Sequence, residues 1–188
     1  MKKAILSIAV LSVLGFSTVS YAAYSLGPSG QISFSGSLNA VTCSVTDSGA
    51  AGSGSNLSYS MGAVSTSALG TEAAPTVVPG ASPAPPAVMN LRLACSGTTS
   101  VELTLTPTTR SGRGIAVSGG ATNVQIMLMQ GSTALDFTSG SVTLPATLSG
   151  GFAMMPLNAY YTLQAGKTAS DVTGGPANGS VAYVLSYN

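Results

Sequence analysis

Cys43 and Cys95 are the residues of this 188-residue chain with the most obvious chemistry. They are its two cysteines, and with no CxxC and no second ligand set they suit one structural disulfide better than a redox or metal site. Such a bridge closes a loop of about 50 residues and stabilises the fold by roughly 4 kcal/mol. The chain has no histidine. A Ser-His-Asp triad, a Cys-His pair and an imidazole ligand for zinc or copper are therefore ruled out. Asp136 and Asp171 are isolated acids in polar stretches, which read as solvated surface charges rather than a glycosidase pair. Gly112 and Gly114 form a bare GxG with no helix after it, so a turn is expected rather than a phosphate cradle. Asn56 and Asn178 stand in N-x-S/T sequons, whose meaning depends on the host. No catalysis, cofactor or metal is expected.

The elements that must position the cysteines begin after an export signal. Lys2 and Lys3 precede an apolar run from Ala4 to Phe16, and Ser20 and Ala22 supply the small-x-small pattern that a signal peptidase accepts. Residues 1–22 are read as a signal peptide, with cleavage after Ala22. The apolar run is too short to span a bilayer. Without the signal, Arg92, Arg110, Arg113 and Lys167 face Asp47, Glu72, Glu102, Asp136 and Asp171, a net charge of about −1. Four scattered cations build neither a nucleic-acid footprint nor a membrane-binding surface. A surface so poor in charge is common in exported proteins and in proteins that pack against copies of themselves.

The hydrophobic period is two. Met89, Leu91, Leu93 and Cys95 share one face, as do Val101, Leu103 and Leu105, and then Val124, Ile126 and Leu128. Gly- and Ser-rich stretches separate these runs, and no window reads as a long amphipathic helix. An all-β sandwich is expected. Residues 72–87 hold five of the ten prolines, which excludes a central strand and predicts a semi-rigid surface excursion inside the disulfide loop.

Both ends of the exported chain carry strand patterns. Tyr24, Leu26, Pro28, Gly30, Ile32, Phe34, Gly36 and Leu38 occupy alternate positions, after which Val41, Cys43 and Val45 take up the opposite parity. A bulge or change of sheet is expected near Asn39 and Ala40. The chain closes on "NGSVAYVLSYN", its most regular alternation. Taken alone, these are an ordinary first and an ordinary last strand of one sandwich.

"GQISFSGSLNAVTC" resembles the start of subunits of type 1 and P pili, the bacterial fimbriae assembled by the chaperone–usher route. That pattern is roughly G-x-V-x-F-x-G-x-V-x-x-x-x-C, and Gly30, Ile32, Phe34, Gly36, Leu38 and Cys43 fall on it without a gap. "LSYSMGAVSTSAL" resembles the segment after the family's first cysteine, "MNLRLAC" its strand into the second, and "VQIMLMQGSTAL" a later strand. Gly175, 14th from the end, and Tyr187, one before the end, match the family's C-terminal signature. The proline-rich insert and the wider cysteine spacing depart from the pattern.

The resemblance implies an incomplete immunoglobulin-like sandwich lacking its last strand, over residues 39–188. Residues 23–38 would be a donor-strand extension, with Gly30, Ile32, Phe34, Gly36 and Leu38 entering the groove of a neighbouring subunit. Gly175, Val181, Tyr183, Leu185 and Tyr187 would belong to the edge of this chain's own groove. Implied partners are neighbouring pilin subunits, a periplasmic chaperone and an outer-membrane usher. The implied location is the cell-surface fimbrium. The alternatives are a free-standing exported Ig-like binding module and a tip or adaptor subunit. A tip adhesin would need a lectin domain ahead of the pilin domain, for which the residues before Cys43 leave no room.

Overall fold

The computed structural model describes residues 42–51 and 56–188. The expected leader, the expected donor positions Gly30, Ile32, Phe34, Gly36 and Leu38, and the expected break at Asn39 and Ala40 lie outside the described residues. The strands in chain order are β1 (Cys43–Thr46), β2 (Gly70–Thr71), β3 (Ala87–Cys95), β4 (Ser100–Pro107), β5 (Arg110–Ser111) and β6 (Gly114–Ala116). They continue with β7 (Val124–Gln130), β8 (Thr133–Ala134), β9 (Val142–Thr147), β10 (Phe152–Leu163) and β11 (Val181–Tyr187). Two 3-10 turns, Thr66–Ala68 and Ala169–Asp171, are the helical elements among the described residues. None of these is long or apolar enough to cross a membrane.

The alternation of apolar residues becomes two sheets packed face to face. The larger follows the path β1-β3-β10-β7-β6-β5, with β2 against β10 and β8 against β7; the smaller is β11-β4-β9. In β3, Met89, Leu91, Leu93 and Cys95 are buried while Val88, Asn90 and Arg92 face out. Leu93 of the large sheet and Leu103 of the small one are wholly excluded from solvent and share one core with Val101, Leu105, Leu157 and Phe137. Burial of each such side chain contributes about 1.5–3 kcal/mol. The fold is an immunoglobulin-like β-sandwich. Its disulfide joins Cys43 to Cys95, direct partners in the β1–β3 register with Cα atoms 4.1 Å apart. A strand of four residues at the edge of a sheet is thereby bonded covalently to its neighbour.

Not every buried position follows the period of two. In β7, Val124, Ile126 and Leu128 are buried as expected, but so are Gln125, Met127 and Met129 on the opposite face. Gln125 and Thr162 are register partners across β7 and β10, and both are fully buried. The proline-rich segment begins beside them. Glu72, next after β2, accepts a hydrogen bond from the backbone N–H of Arg113 in the β5–β6 turn at 3.1 Å. Pro75 is buried, whereas Val77 and most of residues 76–83 are exposed. The segment is a surface excursion whose first residues are folded onto the sheet.

That fold-back requires glycine at position 70. A Cβ there would collide with the Pro75 carbonyl oxygen, and the obstacle is backbone rather than a movable side chain. Gly70→Ala is expected to destabilise the domain by about 1–3 kcal/mol. The check is the urea midpoint, with Gly174→Ala, whose site is open and whose backbone is likewise not left-handed, reporting the effect of replacing a glycine alone.

Candidate strand-binding groove

The small sheet has two edges, and they differ. Among the described residues β9 pairs with β4 alone, and it carries Pro145, which lacks a backbone N–H and blunts an edge. β11 also pairs, among the described residues, with β4 alone, and contains no proline. Along β11, Val181, Tyr183 and Leu185 are half-buried against the core, while Ala182, Val184 and Ser186 face out. Tyr187, opposite Val101 in the register, is exposed at the strand's end.

A cleft of about 960 Å³ runs beside β11. Its floor is apolar and is provided by both sheets, including Met89, Leu91, Leu105, Ile126, Leu128 and Leu157. Val181 and Tyr183 form one wall; Leu57, Tyr59 and Met61 form the other. Residues 56–61 alternate in burial as a strand does, with Leu57, Tyr59 and Met61 turned toward the core. Among the described residues, their main chain pairs only at Ser58, which exchanges two 2.8 Å hydrogen bonds with Ala51. The cleft thus separates two strand-like edges across an apolar floor.

The wall at 56–61 is anchored by a buried carboxylate. Asp47 Oδ2 accepts hydrogen bonds from the Tyr59 hydroxyl at 2.8 Å and from the Asn90 N–H at 2.6 Å, and Oδ1 accepts from the Gly49 N–H at 2.8 Å. Burial pushes the Asp47 carboxyl up, but the three donors outweigh it and hold the group below its ordinary value. Burial, the bond to Asp47 and that carboxylate's charge together push the Tyr59 phenol well up, with Tyr183 adding to the shift. Tyr59 therefore remains a neutral donor at physiological pH. Neither Asp47 nor Tyr59 was among the residues singled out from sequence. The available signal was that Asp47 continues the inward parity of Cys43 and Val45.

The geometry of two sheets, one disulfide and this cleft has counterparts of known structure. No protein-family model matches the chain, and no curated protein matches its sequence. A structure described as a chaperone–usher pilus, reported for the basis of rod uncoiling, superposes with a TM-score of 0.54. At 20% identity that match covers 86% of this chain and 96% of the other. The P pilus rod subunit PapA superposes with a TM-score of 0.51 at 19% identity, over 78% of this chain and 99% of that one. The chain has the fold of a pilus rod subunit. A further likeness, to the CupB6 tip adhesin from Pseudomonas aeruginosa, has a TM-score of 0.44 at 20% identity and pairs 53% of this chain with 30% of that one.

Within this pilin fold, Gly175 lies six residues ahead of β11 rather than in the strand. The segment before β11 is stitched to the loop after β6. Ser118 and Asn178 exchange two 2.8 Å bonds, Ala121 N–H donates to the Pro176 carbonyl, and the Tyr161 hydroxyl donates to that of Ala177. A Cβ on Gly175 would meet the Ala121 nitrogen and the Gly120 carbonyl carbon at 2.9 Å, so the close approach of two backbones demands glycine there. Gly175 and Asn178 line one end of the cleft, and Asn56 stands at the start of the opposite wall.

The residues weighed for catalysis are engaged locally. Asp136 accepts from the hydroxyl and N–H of Thr138 and pairs with Arg113 at 2.9 Å; the Thr138 bonds first, and Arg113 after them, hold its carboxyl down. Asp171 accepts from the N–H and hydroxyl of Thr168 and closes the second 3-10 turn. Gly112, at φ 54°, makes the β5–β6 turn.

Proposed function

We propose that this chain is a structural subunit of a fimbria assembled by the chaperone–usher route, which polymerises by accepting a neighbouring subunit's N-terminal strand in the cleft beside β11. The observation that carries this reading is the apolar floor lying between two strand edges. A strand laid there finds main-chain partners for affinity and pockets for alternate side chains. The likeness in fold to pilus rod subunits supports it.

In this reading residues 1–22 are the export signal, 23–38 the donor strand and 39–188 the pilin domain. Gly30, Ile32, Phe34, Gly36 and Leu38 enter the preceding subunit, and Val181, Tyr183, Leu185 and Tyr187 form the receiving edge, with Gly175 shaping its approach. A periplasmic chaperone lends a strand to the same groove until the usher delivers the next subunit, and the product stands on the cell surface. Each apolar side chain buried in the groove contributes about 1.5–3 kcal/mol before entropy is counted. Head-to-tail contacts of this kind do not close, and they generate a filament. A subunit with both a donor strand and a groove fits a shaft or linker position. Its role is structural and not enzymatic.

The test uses the chain purified after export and an excess of a labelled synthetic peptide spanning Ala23 to Leu38. The peptide is expected to bind and to slow amide exchange across 181–187 and 56–61. A chain whose exchange at both edges is indifferent to the peptide would refute the reading.

A further inference from the structure

The ladder between β1 and β3 ends at the pair Thr46 and Arg92. One residue on, the chain leaves the sheet, and a side chain takes over from the backbone. Asp47 Oδ2 accepts from the Asn90 N–H, a main-chain donor of β3, at 2.6 Å, while the same oxygen holds the Tyr59 hydroxyl and Oδ1 holds the turn at Gly49. One carboxylate thus joins three pieces of chain: the turn after β1, the β3 strand and the wall 56–61.

Among the described residues, the charge on Asp47 is met by these donors alone. Facing it are Tyr59 on the wall, Asn90 on β3 and, beyond Tyr59, Tyr183 on β11. Arg92, the nearest cation in the β3 sequence, turns outward with its guanidinium 4.6 Å over the Phe152 ring. Among the described residues the ion pair is Arg113 with Asp136, and Asp47 has none. Only an ionised carboxylate can accept all three bonds; an asparagine has one acceptor oxygen and would turn an NH₂ toward a donor. The wall depends on this junction because, among the described residues, its remaining ties are the single bridge at Ser58 and the packing of Leu57, Tyr59 and Met61.

We propose that Asp47 is the positioning residue of the groove: through Tyr59 it holds residues 56–61 in the register that an incoming strand pairs with, opposite β11. The proposal rests on the groove reading above. With the junction intact, Tyr59 fixes which residues of the wall face inward, so the inserted strand meets two edges. With it broken, the strand is held by β11 alone.

The sign of the pH dependence follows from the depressed carboxyl. The junction is fully present above the ordinary aspartate range and is lost as pH falls through the lower folded value. The experiment compares the wild-type chain with Tyr59→Phe, which keeps the ring and removes the donor, and with Asp47→Asn. Amide exchange at 56–61 and dissociation of the Ala23–Leu38 peptide are followed from pH 2 to 7. Loss of one hydrogen bond to a charged group predicts roughly tenfold faster exchange at 56–61 and roughly tenfold faster peptide release in Tyr59→Phe, with β3 and β10 amides unchanged. Asp47→Asn is expected to show the loosened wall at every pH and no acid step. Should it not fold, Tyr59→Phe decides. Peptide release and exchange within twofold of wild type in Tyr59→Phe would overturn the positioning role while leaving the groove. Failure of the wild-type chain to bind the peptide would overturn the groove reading itself.

Discussion

Reduction of the Cys43–Cys95 bond is expected to lower the melting temperature by about 8–16 °C. The residues are 52 apart in sequence. A loop of that size corresponds to roughly 4 kcal/mol of lost unfolded-chain entropy, and each kcal/mol moves the midpoint of a domain of this length by about 2–4 °C. Position makes the bond matter further. β1 has four residues and one neighbouring strand, and it delivers Asp47 to its junction with the wall of the groove. Freed from Cys95, β1 keeps its ladder with β3, the burial of Val45 and the Asp47 bond to Asn90 that follows it. The check is calorimetry of the oxidised and reduced chain, together with Cys43→Ser/Cys95→Ser. A shift below about 3 °C would contradict the entropic account. Exchange at 56–61 is expected to rise on reduction before global unfolding begins.

Much of this architecture is legible in local pattern. The alternation at Met89, Leu91 and Leu93 and at Val101, Leu103 and Leu105 sets the inward faces of β3 and β4, because a period of two has only one way to bury an apolar face. The cysteine pairing follows from there being two of them with no CxxC and no second ligand set. The proline-rich segment is legible as an excursion, but not as one whose first residues fold back onto the sheet. That arrangement depends on Glu72 reaching a turn 41 residues away, and no period encodes it. The wall 56–61 was recognisable as a family-like segment. Its anchor was not, since an acid followed by serine and glycine reads as an ordinary turn and the bond to Asn90 N–H spans 43 residues. The donor positions were read from the strongest motif in the chain, and they lie outside the described residues.

The two edges of the small sheet would give the proposed strand addition a single address. Pro145 in β9 removes a donor from one edge, so a strand approaching there finds an interrupted ladder. β11 keeps every donor, and its half-buried residues face an apolar floor. An open apolar edge is an aggregation hazard in an exported chain. In the proposed cycle it is covered at each stage, first by a chaperone strand and then by a subunit strand, so the hazard becomes the assembly site.

The same logic predicts the substitution that most clearly separates assembly from folding. Tyr183 is half-buried, opposite Leu105 in the register, and lies close to Tyr59 across the cleft. An aspartate there would lose the ring's packing, about 1–2 kcal/mol for a half-buried aromatic, and its carboxylate would stay hydrated while the groove is open. An inserted strand would strip that water without supplying a cation, at a cost of several kcal/mol. Tyr183→Asp is therefore expected to weaken binding of the Ala23–Leu38 peptide on the order of 10³-fold, while lowering the melting temperature of the unliganded chain by only about 2–8 °C. Val184→Asp, one residue along and 62% exposed on the outward face, is expected to leave both nearly unchanged. Titration calorimetry with the peptide and scanning calorimetry without it give the two numbers. Equal losses from Tyr183→Asp and Val184→Asp would mean that the inward face of β11 does not receive the strand. A large loss confined to Tyr183→Asp would place the contact on the side of β11 that faces the apolar floor.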